Sequence, residues 1–527
     1  MCIRMFCSAR FISHYNIIGK KGSIKMQQIA PVTDAKEFII GLNSRVLRDM
    51  SKHREKATEY GSPSFITKMR SRGADFTRNI VDGEVTEKDY QTIEEVKQYL
   101  KSKVLIQVDR EMCQGGKHRS FLCRLYVTKP YSYLALMLYN SLLRPLKYKD
   151  PDFYVIDVPE WKERAVILDP INGVTYVLGS DYYGEIKKGF LRMTMYRAKI
   201  RGMIGLHAGS KDVWAVSRRS DELIRSGMLF FGLSGTGKTS LTCHDFNMDT
   251  KRGEKIAVRQ DDVVILSQDG YCTGTEGKGF YVKTEDLSPD DQKSIYYATI
   301  SQNAILENVW VDDNGKVDFS NKTLAANGRA IVQISEVENS GGGIDLPFTN
   351  QMFFITRNAL MPPVTKLTPA QAACTFMLGE SIKTSAADPN AKGEAVREVG
   401  TNPFIIGPKY EEGDRIYEIL QDNPNMDCYI LNTGYVGIGE KKIKIGILDT
   451  VAIIREIARE GIEWVEDELL QLQVPKSVVG FDINKYDVRK YFSQTELEER
   501  LKVLRKERME WLEQFPGLYK EIVSAVY

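Results

Sequence analysis

The residues with the clearest chemical pattern lie in the stretch FFGLSGTGKTS, from Phe230 to Ser240. The spacing Gly-x-x-x-x-Gly-Lys-Thr is typical of a phosphate-binding loop, because its glycines let consecutive backbone N–H groups converge on phosphate oxygens. Lys238 adds a positive charge, and the Thr239 hydroxyl can ligate Mg²⁺. The sequence therefore predicts a nucleoside triphosphate site made by Gly232, Leu233, Ser234, Gly235, Thr236, Gly237, Lys238, Thr239 and Ser240.

Two aspartates follow the next apolar run, in IAVRQDDVVIL. A phosphate loop needs a carboxylate that reaches its metal ion from a nearby strand end, and Asp261 and Asp262 are the candidates. An acidic pair in an ordinary turn is the alternative.

Further candidates lie upstream, where DYYGEIKKGF contains Lys187 and Lys188 and IRGMIGLHAGS contains His207. Taken alone, the lysines are typical of a solvated charge pair, and a single histidine in an apolar run is typical of a core residue. Their occurrence beside a phosphate loop and an aspartate pair favours a second metal site.

The elements that position these residues follow from length and periodicity. A chain of 527 residues exceeds the size of one core, which predicts two domains or one two-lobed enzyme with a cleft between its lobes. Runs such as VLIQV, AVILD and VTYVL predict a sheet-rich first lobe. Runs from MLFF to CYILNTG, with helical stretches between some of them, predict a mixed α/β second lobe.

We predict a substrate-side domain over residues 1–211, a nucleotide-binding domain over 212–470 and a helical extension over 471–527. In the extension, a capping-box pattern at Ser493 and Glu496 predicts a helix that ends before Pro516. Residues 1–25 are interpreted as an extension from an upstream start codon, with Met26 as the true start. A transit peptide is the alternative.

Composition narrows the functional class. Seventy-two basic residues against 70 acidic ones give a formal charge of +2, which argues against nucleic acid and anionic membranes as partners. No apolar run is long enough to cross a bilayer. The eight scattered cysteines form no C-x-x-C pair, which favours a reducing, cytoplasmic location. Oligomeric state is left open.

In their order along the chain, these motifs resemble the active-site string of the ATP-dependent phosphoenolpyruvate carboxykinases. The similar segments are Tyr182 to Gly189, His207, Gly232 to Thr239, Asp261-Asp262, EGKGFYVK, AILENV, NGR, MPPVTKLT and LNTGYVGIG, within about residues 180 to 455. The resemblance implies a two-lobed carboxykinase fold that converts oxaloacetate and ATP into phosphoenolpyruvate, CO₂ and ADP, in gluconeogenesis or anaplerosis. Leu233 and Ser234 favour ATP, because the GTP-dependent relatives have a cysteine in this loop.

The resemblance also implies a transition-metal site, usually for Mn²⁺, at Lys188, His207 and Asp262, with Mg²⁺ at Thr239. A lysine can coordinate a metal only without its proton, and burial and neighbouring cations favour that form. Lys187 is implied to steady the transferred phosphoryl group. The other implied site residues are Arg329 and Tyr182 in catalysis, and Lys283, Lys442 and Thr450 on the nucleotide.

The family holds the substrate carboxylate with an arginine in a Gly-Arg-Ser-Pro segment, and the candidate here is Arg119 in KHRSFLCRLYV. His118 and Phe121 replace the glycine and the proline, so Arg124, another arginine, or a simple cation at a strand start stays open. The chain also departs from the family at Gln260 and Val263 and in TNPFIIGPKY at Thr401. Two other functions therefore stay open: a different P-loop kinase, and an ATP-binding regulatory protein without catalysis.

Overall fold

The computed structural model describes residues 28–70, 73–115, 117–232, 236–290, 292–325, 327–382 and 395–527, and over these residues the chain is a mixed α/β protein. The helices are α1 (Ser44–Ser51), α2 (Glu87–Leu100), α3 (Ser132–Ser141), α4 (Tyr183–Lys199), α5 (Lys238–Cys243), α6 (Lys293–Thr299), α7 (Pro369–Leu378), α8 (Tyr410–Asp422), α9 (Ile447–Ala458), α10 (Gln494–Leu512) and α11 (Lys520–Val523).

The strands of the first half are β1 (Glu37–Ile39), β2 (Glu55–Ala57), β3 (Pro63–Phe65), β4 (Thr77–Asn79), β5 (Val104–Met112), β6 (Phe121–Thr128), β7 (Phe153–Val158), β8 (Ala165–Asp169), β9 (Val174–Leu178), β10 (Ile204–Leu206), β11 (Ala208–Val216), β12 (Leu223–Phe231), β13 (Lys255–Gln260), β14 (Val264–Leu266) and β15 (Cys272–Gly274). Those of the second half are β16 (Gly279–Lys283), β17 (Ile305–Glu307), β18 (Trp310–Val311), β19 (Val317–Asp318), β20 (Arg329–Gln333), β21 (Gln351–Thr356), β22 (Val364–Leu367), β23 (Glu380–Ile382), β24 (Ala395–Arg397), β25 (Asp427–Asn432), β26 (Tyr435–Val436), β27 (Ile443–Lys444), β28 (Ile462–Asp467) and β29 (Leu472–Val478).

A seven-stranded sheet in the order β1-β5-β6-β7-β9-β8-β4 lies between two layers of helix. Helices α3 and α4 share a core with one of its faces, and α2 shares a core with the other. Every residue of β8 and β9 is buried, which explains their continuous apolar sequences. The prediction of strands at VLIQV, AVILD and VTYVL is confirmed.

An eight-stranded sheet in the order β13-β11-β12-β21-β25-β22-β29-β28 contains the predicted phosphate loop. Its centre is parallel, since β12 pairs with β21 and β21 with β25 in the same direction. The loop follows β12 and precedes α5, which is the predicted strand–loop–helix order. In an open α/β sheet, ligands bind at the carboxyl ends of such parallel strands.

A three-stranded sheet of β10, β14 and β15 aligns two stretches that are far apart in sequence. Leu206 pairs with Val264 in the antiparallel register of β10 and β14. His207 directly follows β10, and Asp262 lies just before β14, so this register places the two candidate metal ligands side by side.

The division into 1–211, 212–470 and 471–527 stays a prediction, but two of its details need correction. Lys211 and Asp212 lie inside β11, so the first boundary would cut a continuous strand. Residues 472–478 form β29, which pairs with β28, so the final segment is not helical throughout. The predicted helix is confirmed as α10, where the Ser493 hydroxyl accepts a hydrogen bond from the Glu496 amide.

Two predictions from composition bear on the described residues alone. None of their helices combines the length and the apolar character needed to span a bilayer. Their cysteines, which are Cys113, Cys123, Cys243, Cys272, Cys374 and Cys428, are all buried and free. Residues 1–25 and Met26, with the choice of start codon, lie outside the described residues.

We expect Glu254→Gln to lower the free energy of unfolding by roughly 2 kcal/mol at pH 7, since it breaks a buried charged network. The Glu254 carboxylate accepts hydrogen bonds from the Val216 and Asp249 amides at 2.9 and 2.8 Å and pairs with Arg459 at 2.5 Å. Although burial opposes ionisation, Arg459 and these amides lower the pKa of Glu254 to about 2. A depressed pKa stabilises the fold above the ordinary value of 4.5, and this contribution is lost as the pH falls toward 2.

Urea unfolding of the unsubstituted protein and of Glu254→Gln at pH 7 and pH 3.5 checks this expectation. The difference between their free energies of unfolding should narrow at the lower pH. Glu463→Gln is the matched control, because Glu463 pairs with Lys476 on the exposed surface. Equal effects of the two substitutions would contradict a special role of the Glu254 network.

Candidate active site

One carboxylate, that of Asp262, collects most of the predicted site residues. Its Oδ2 lies 3.0 Å from Lys187 Nζ and 2.6 Å from Lys188 Nζ. Its Oδ1 lies 3.0 Å from His207 Nε2 and 3.2 Å from Lys238 Nζ. Four side chains from α4, the end of β10 and the start of α5 therefore meet at one residue that follows β13.

Helix α4 presents the two lysines from its second turn. Its first turn is held by Glu307, whose Oε1 accepts a hydrogen bond from the Tyr183 amide at 2.9 Å. The rest of the helix is buried against the seven-stranded sheet. The lysines therefore enter the site on a fixed element, not on a loop.

Lys187 and Lys188 differ in their neighbours and consequently in their protonation. Burial lowers the pKa of Lys188 to about 7, with Asp262 opposing and Lys187 assisting the shift. Lys187 has a second carboxylate, Glu276, 3.0 Å from its Nζ. Although burial opposes it, Asp262 and Glu276 raise the pKa of Lys187 above its usual value. Near pH 7, Lys187 is a cation, while Lys188 has a substantial neutral fraction that can donate its lone pair.

His207 is neutral and has a defined orientation. Burial and the charge of Lys238 lower its pKa to about 4. Its Nδ1 lies 2.7 Å from the Thr401 carbonyl oxygen, so Nδ1 carries the proton and Nε2 is free to act as a ligand. The Phe404 ring packs edge-on against the His207 ring, with 5.6 Å between the ring centres. The segment TNPFIIGPKY, which departs from the family pattern, thus orients this histidine.

The other two departures from the family pattern are Gln260 and Val263, which lie behind the carboxylates of Asp262 and Glu276. The Gln260 side-chain amide donates to the carbonyl oxygen of Glu276, and the Thr275 hydroxyl donates to the Val263 carbonyl oxygen at 2.7 Å. These contacts join the segment between β13 and β14, which carries Asp262, to the residues that follow β15. Gln260 and Val263 therefore support the acidic residues from behind.

The phosphate loop meets this cluster through Lys238, whose Nζ also lies 3.4 Å from the Asp262 carbonyl oxygen. Gly237 has a φ of 105°, a conformation that disfavours any side chain. A Cβ atom at Gly232 would lie 2.5 Å from the Thr236 hydroxyl, so the loop backbone needs glycine there too. Ser240 lies in the first turn of α5. The predictions for Leu233, Ser234 and Gly235 lie outside the described residues.

Asp261, the other aspartate of the pair, has a different partner. The Thr239 side chain lies close enough to its carboxylate to lower its pKa. Burial raises the pKa of Asp261, with Lys238 opposing and Asp262 assisting the shift. The two adjacent carboxylates thus face different groups: Asp262 the lysines and His207, and Asp261 the threonine of the loop.

The donor atoms around Asp262 fit a transition-metal ion. Metal–ligand bonds of about 2.1 Å at right angles place neighbouring donors about 3 Å apart. Lys188 Nζ and His207 Nε2 lie 2.6 and 3.0 Å from the Asp262 oxygens. Among the described residues, no group of three or more histidine, cysteine, aspartate or glutamate side chains is arranged to hold a metal ion. Any set of three metal donors at this cluster would therefore include a lysine amine.

A second network connects Arg329 to the lysine helix. Asn327 accepts a hydrogen bond from Arg329 Nε at 3.1 Å and donates to the Tyr182 hydroxyl at 3.3 Å. The same Asn327 amide donates to the Arg70 carbonyl oxygen at 3.0 Å. The Arg70 backbone thus lies beside Tyr182 and Arg329, although its sequence position did not indicate this, while its guanidinium donates to the Leu324 and Thr67 carbonyl oxygens. The pair Arg70-Ser71, in MRSRG, is the sequence signal that could have indicated it.

The segment before Arg70 is fixed to the same helix start. The carboxylate of Asp181 accepts hydrogen bonds from the Lys68 and Met69 amides, each at 3.0 Å. Glu185, in the first turn of α4, accepts from the Gly73 amide. The two backbone stretches are consequently held together over several residues.

The structure places Arg119 and Arg124 elsewhere. Arg119 Nη2 pairs with Asp152 Oδ1 at 2.8 Å, and 61% of the Arg119 side chain is exposed. Arg124 makes two hydrogen bonds of 2.7 Å to the Asp109 carboxylate on the adjacent strand. Neither arginine contacts the described residues around Asp262. The geometry therefore favours Arg70 over Arg119 as the arginine beside the site.

The remaining predicted nucleotide residues are dispersed. Lys283 faces Arg329 across the β16–β20 pair and forms an ion pair with Glu285. Lys442 lies 4.9 Å from the Tyr435 ring centre, in the segment that follows β25. Thr450 is in the first turn of α9 and donates to the Gly446 carbonyl oxygen at 3.2 Å. Of these, only Lys283 is next to a residue of the networks above.

Two comparisons with known proteins identify the family of the chain. The sequence profile of the phosphoenolpyruvate carboxykinase family matches residues 62–484. A relative from Aeropyrum pernix, named phosphoenolpyruvate carboxykinase (ATP), is 34% identical over 410 residues, which are 77% of this chain and 81% of the relative. The matched region includes Arg70 and every residue of the Asp262 cluster.

Proposed function

The chain belongs to the family of ATP-dependent phosphoenolpyruvate carboxykinases, and from this premise we propose how its residues divide the work. The reaction converts oxaloacetate and ATP into phosphoenolpyruvate, CO₂ and ADP. The observation that supports the division is the meeting of Lys188, His207 and Lys238 at the Asp262 carboxylate. It joins a phosphate loop to a nitrogen-containing metal site.

The phosphate side of the reaction belongs to the loop between β12 and α5. Backbone N–H groups of residues 232–239 would hold the phosphates, and Lys238 would carry positive charge toward the β- and γ-phosphates. Thr239 would ligate Mg²⁺ beside the Asp261 carboxylate, whose pKa the Thr239 side chain lowers. Lys283, Lys442 and Thr450 remain candidates for the nucleoside, as does the preference for ATP.

The substrate side belongs to α4 and β20. When bound, Mn²⁺ at Lys188, His207 and Asp262 would supply a positive charge that stabilises the enolate oxygen formed as CO₂ leaves. Lys187 stays protonated beside Asp262 and Glu276 and would hold the transferred phosphoryl group. Arg329 presents a planar fork that suits phosphate and carboxylate oxygens. Tyr182 is positioned with it through Asn327.

We further propose a two-lobed arrangement with the site in its cleft. Lys187 and Lys188 lie on a helix packed against the seven-stranded sheet, whereas Lys238 follows a strand of the eight-stranded sheet. Reactants bound at Asp262 would thus lie between the two sheets. Closure of such a cleft excludes water from phosphoryl transfer.

A cytoplasmic location and small-molecule partners complete the proposal. The free cysteines of the described residues suit a reducing compartment. The expected partners are oxaloacetate or phosphoenolpyruvate, CO₂, and ATP or ADP. That nucleic acid and membranes are not partners remains a prediction from composition.

Incubation of the purified protein with oxaloacetate, ATP, Mg²⁺ and Mn²⁺ tests the function. We expect phosphoenolpyruvate and ADP in equal amounts, with ADP formation dependent on oxaloacetate. ATP consumption that is indifferent to oxaloacetate would favour a different P-loop kinase. ATP binding without turnover would favour a regulatory protein.

We propose Arg70 as the residue that holds the substrate carboxylate, and Arg70→Gln should raise the KM for oxaloacetate by about tenfold or more. Loss of one charge-assisted hydrogen bond to a small acid explains this magnitude. Arg119→Gln is the matched comparison, because both arginines precede a serine but only the Arg70 backbone is linked to Tyr182, through Asn327. Steady-state kinetics with varied oxaloacetate measures the KM of both variants. A rise in KM for Arg119→Gln alone would reverse the assignment.

A further inference from the structure

A cavity of about 220 Å³ lies away from the Asp262 cluster, at the opposite end of α4. A single water needs roughly 10–15 Å³ of cavity volume, so this one has room for a small organic molecule. Its lining residues come from the ends of the β5–β6 hairpin, the last turn of α4 and the residues after it, and the pair β14–β15. Of the residues that the sequence predicts for catalysis or metal binding, Arg119 alone is among its described lining residues.

The interior of this cavity is mainly apolar. Phe121, Ala198 and Ile265 are each at least 95% buried. Ile265 pairs with Thr273 across β14 and β15, which makes one flat wall. Met203 lies between α4 and β10 and completes the floor. Such walls favour a ligand with an apolar body.

The mouth of the cavity carries two arginines. The Arg201 guanidinium lies 5.1 Å from the centre of the Phe121 ring and makes no hydrogen bond or ion pair with another described residue. Arg119 contributes the second guanidinium. Arg119 and Arg197 lie close enough to Arg201 to lower its pKa, after burial as the main cause. Like charges held together in this way gain stability from an anion.

The carboxylate that pairs with Arg119, Asp152, is already engaged. Asp152 accepts Arg119 at Oδ1, while its Oδ2 accepts Lys149 at 2.7 Å and the Leu122 amide at 2.8 Å. Two basic residues thus share one acid, and Arg201 adds a third positive charge. Asp345, the carboxylate near His118 and Cys113, accepts hydrogen bonds from the Tyr271 hydroxyl and the Gly274 amide, so the side of the mouth with the arginines stays positive.

The remaining polar wall is a neutral histidine. His118 Nε2 lies 2.5 Å from the Ser267 hydroxyl, and its ring packs edge-on against Tyr271 at 5.7 Å. Burial and the charge of Lys117 lower the pKa of His118. It therefore offers a flat, fixed surface beside the arginines.

We propose that this cavity binds a small organic anion, with its carboxylate or phosphate group at Arg201 and Arg119 and its apolar body against Phe121, Met203 and Ile265. Arginine suits the acid group because its planar fork forms paired hydrogen bonds. The motif KHRSFLCR, first considered for the substrate, then serves a second site. The proposal does not rest on the catalytic assignments.

The cavity shares two elements with the catalytic cluster. Lys188 and Ala198 are ten residues apart on α4, which is roughly 15 Å along the helix. Met203 precedes β10, which leads directly to His207. A ligand here therefore contacts the same helix and strand that position two proposed metal ligands.

Calorimetric titration of the full chain tests the proposal, with saturating ADP and Mg²⁺ to occupy the phosphate loop. The probes are phenyl phosphate and benzoate. Inorganic phosphate and phenol are the separated halves of the first, and formate and phenol represent the acid and the ring of the second. We expect one of the two whole probes to bind about tenfold or more tightly than either half. Whichever acid binds more tightly identifies the acid group.

Arg201→Gln should weaken that binding by about tenfold or more, since a charged hydrogen-bond donor is lost. Arg219→Gln is the matched control, because Arg219 is 72% exposed and its ion pair with Glu460 is long, at 4.0 Å. Absence of saturable binding, equal affinity for inorganic phosphate, or unchanged affinity in Arg201→Gln would each overturn the proposal. Because binding is measured, failure here is distinct from absence of phosphoenolpyruvate formation.

Discussion

Replacement of Lys188 by alanine is expected to lower the rate of phosphoenolpyruvate formation by about 10³-fold or more, while the Kd for ADP changes by less than about threefold. The Lys188 amine is one of three donors at the proposed Mn²⁺ site, and burial lowers its pKa to about 7, so its lone pair is accessible. The nucleotide phosphates depend on Lys238 and the loop backbone instead. Turnover and nucleotide binding should therefore separate.

Turnover and ADP affinity of Lys188→Ala are measured separately. The kcat of phosphoenolpyruvate formation gives the catalytic loss, and calorimetric titration with ADP and Mg²⁺ gives the nucleotide affinity. Lys502→Ala is the matched control, because Lys502 is an exposed lysine on α10 where alanine is well tolerated. Equal losses of ADP binding and turnover in Lys188→Ala would contradict the division of roles between Lys188 and Lys238.

The sequence predicted those strands and helices whose pattern of apolar or capping residues is local. Alternating or continuous apolar runs predicted the strands at Val104, Ala165 and Val174, and a capping pattern predicted α10. Burial on both faces of a sheet imposes such runs whatever the rest of the chain does. The domain boundary after residue 211 has no such signal, and it falls within β11.

The candidate site likewise has residues that local motifs predict and contacts that depend on residues distant in the sequence. Motif order indicated Lys188, His207 and Asp262 as a group, but not that Thr401, 194 residues away, would orient His207. The choice between Arg70 and Arg119 also depends on a distant residue, because Asn327 fixes Arg70 beside Tyr182. Two arginine–serine pairs look alike in sequence, and only tertiary contacts distinguish them.

Asp262→Asn should cause both a catalytic loss and a loss of stability. We expect phosphoenolpyruvate formation to fall by about 10³-fold or more, because a proposed metal ligand is weakened. Without metal, we expect the free energy of unfolding at pH 7 to fall by about 3 kcal/mol, since Lys187 and Lys238 lose a buried counter-charge. Partial loss of the Lys188 proton limits this cost.

Asp261→Asn is the matched control for stability. It changes the adjacent residue in the same way, but burial raises the pKa of Asp261, so its ionised form is disfavoured in the fold. We expect Asp261→Asn to change the free energy of unfolding by less than about 1 kcal/mol. Urea unfolding in the presence of a chelator compares the two variants, and equal losses would show that Asp262 is not the centre of the cluster.

The pH dependence of the Asp262→Asn effect separates charge from packing. Although burial opposes ionisation, Lys187, Lys188 and Lys238 hold the pKa of Asp262 well below its usual value. Its contribution is therefore fully present above the ordinary carboxyl pKa of about 3.9 and is lost as the pH falls further. The stability difference from the unsubstituted protein should narrow below about pH 4. A difference that stays constant to pH 3 would mean that the carboxylate acts through shape, and the electrostatic account of the cluster would be wrong.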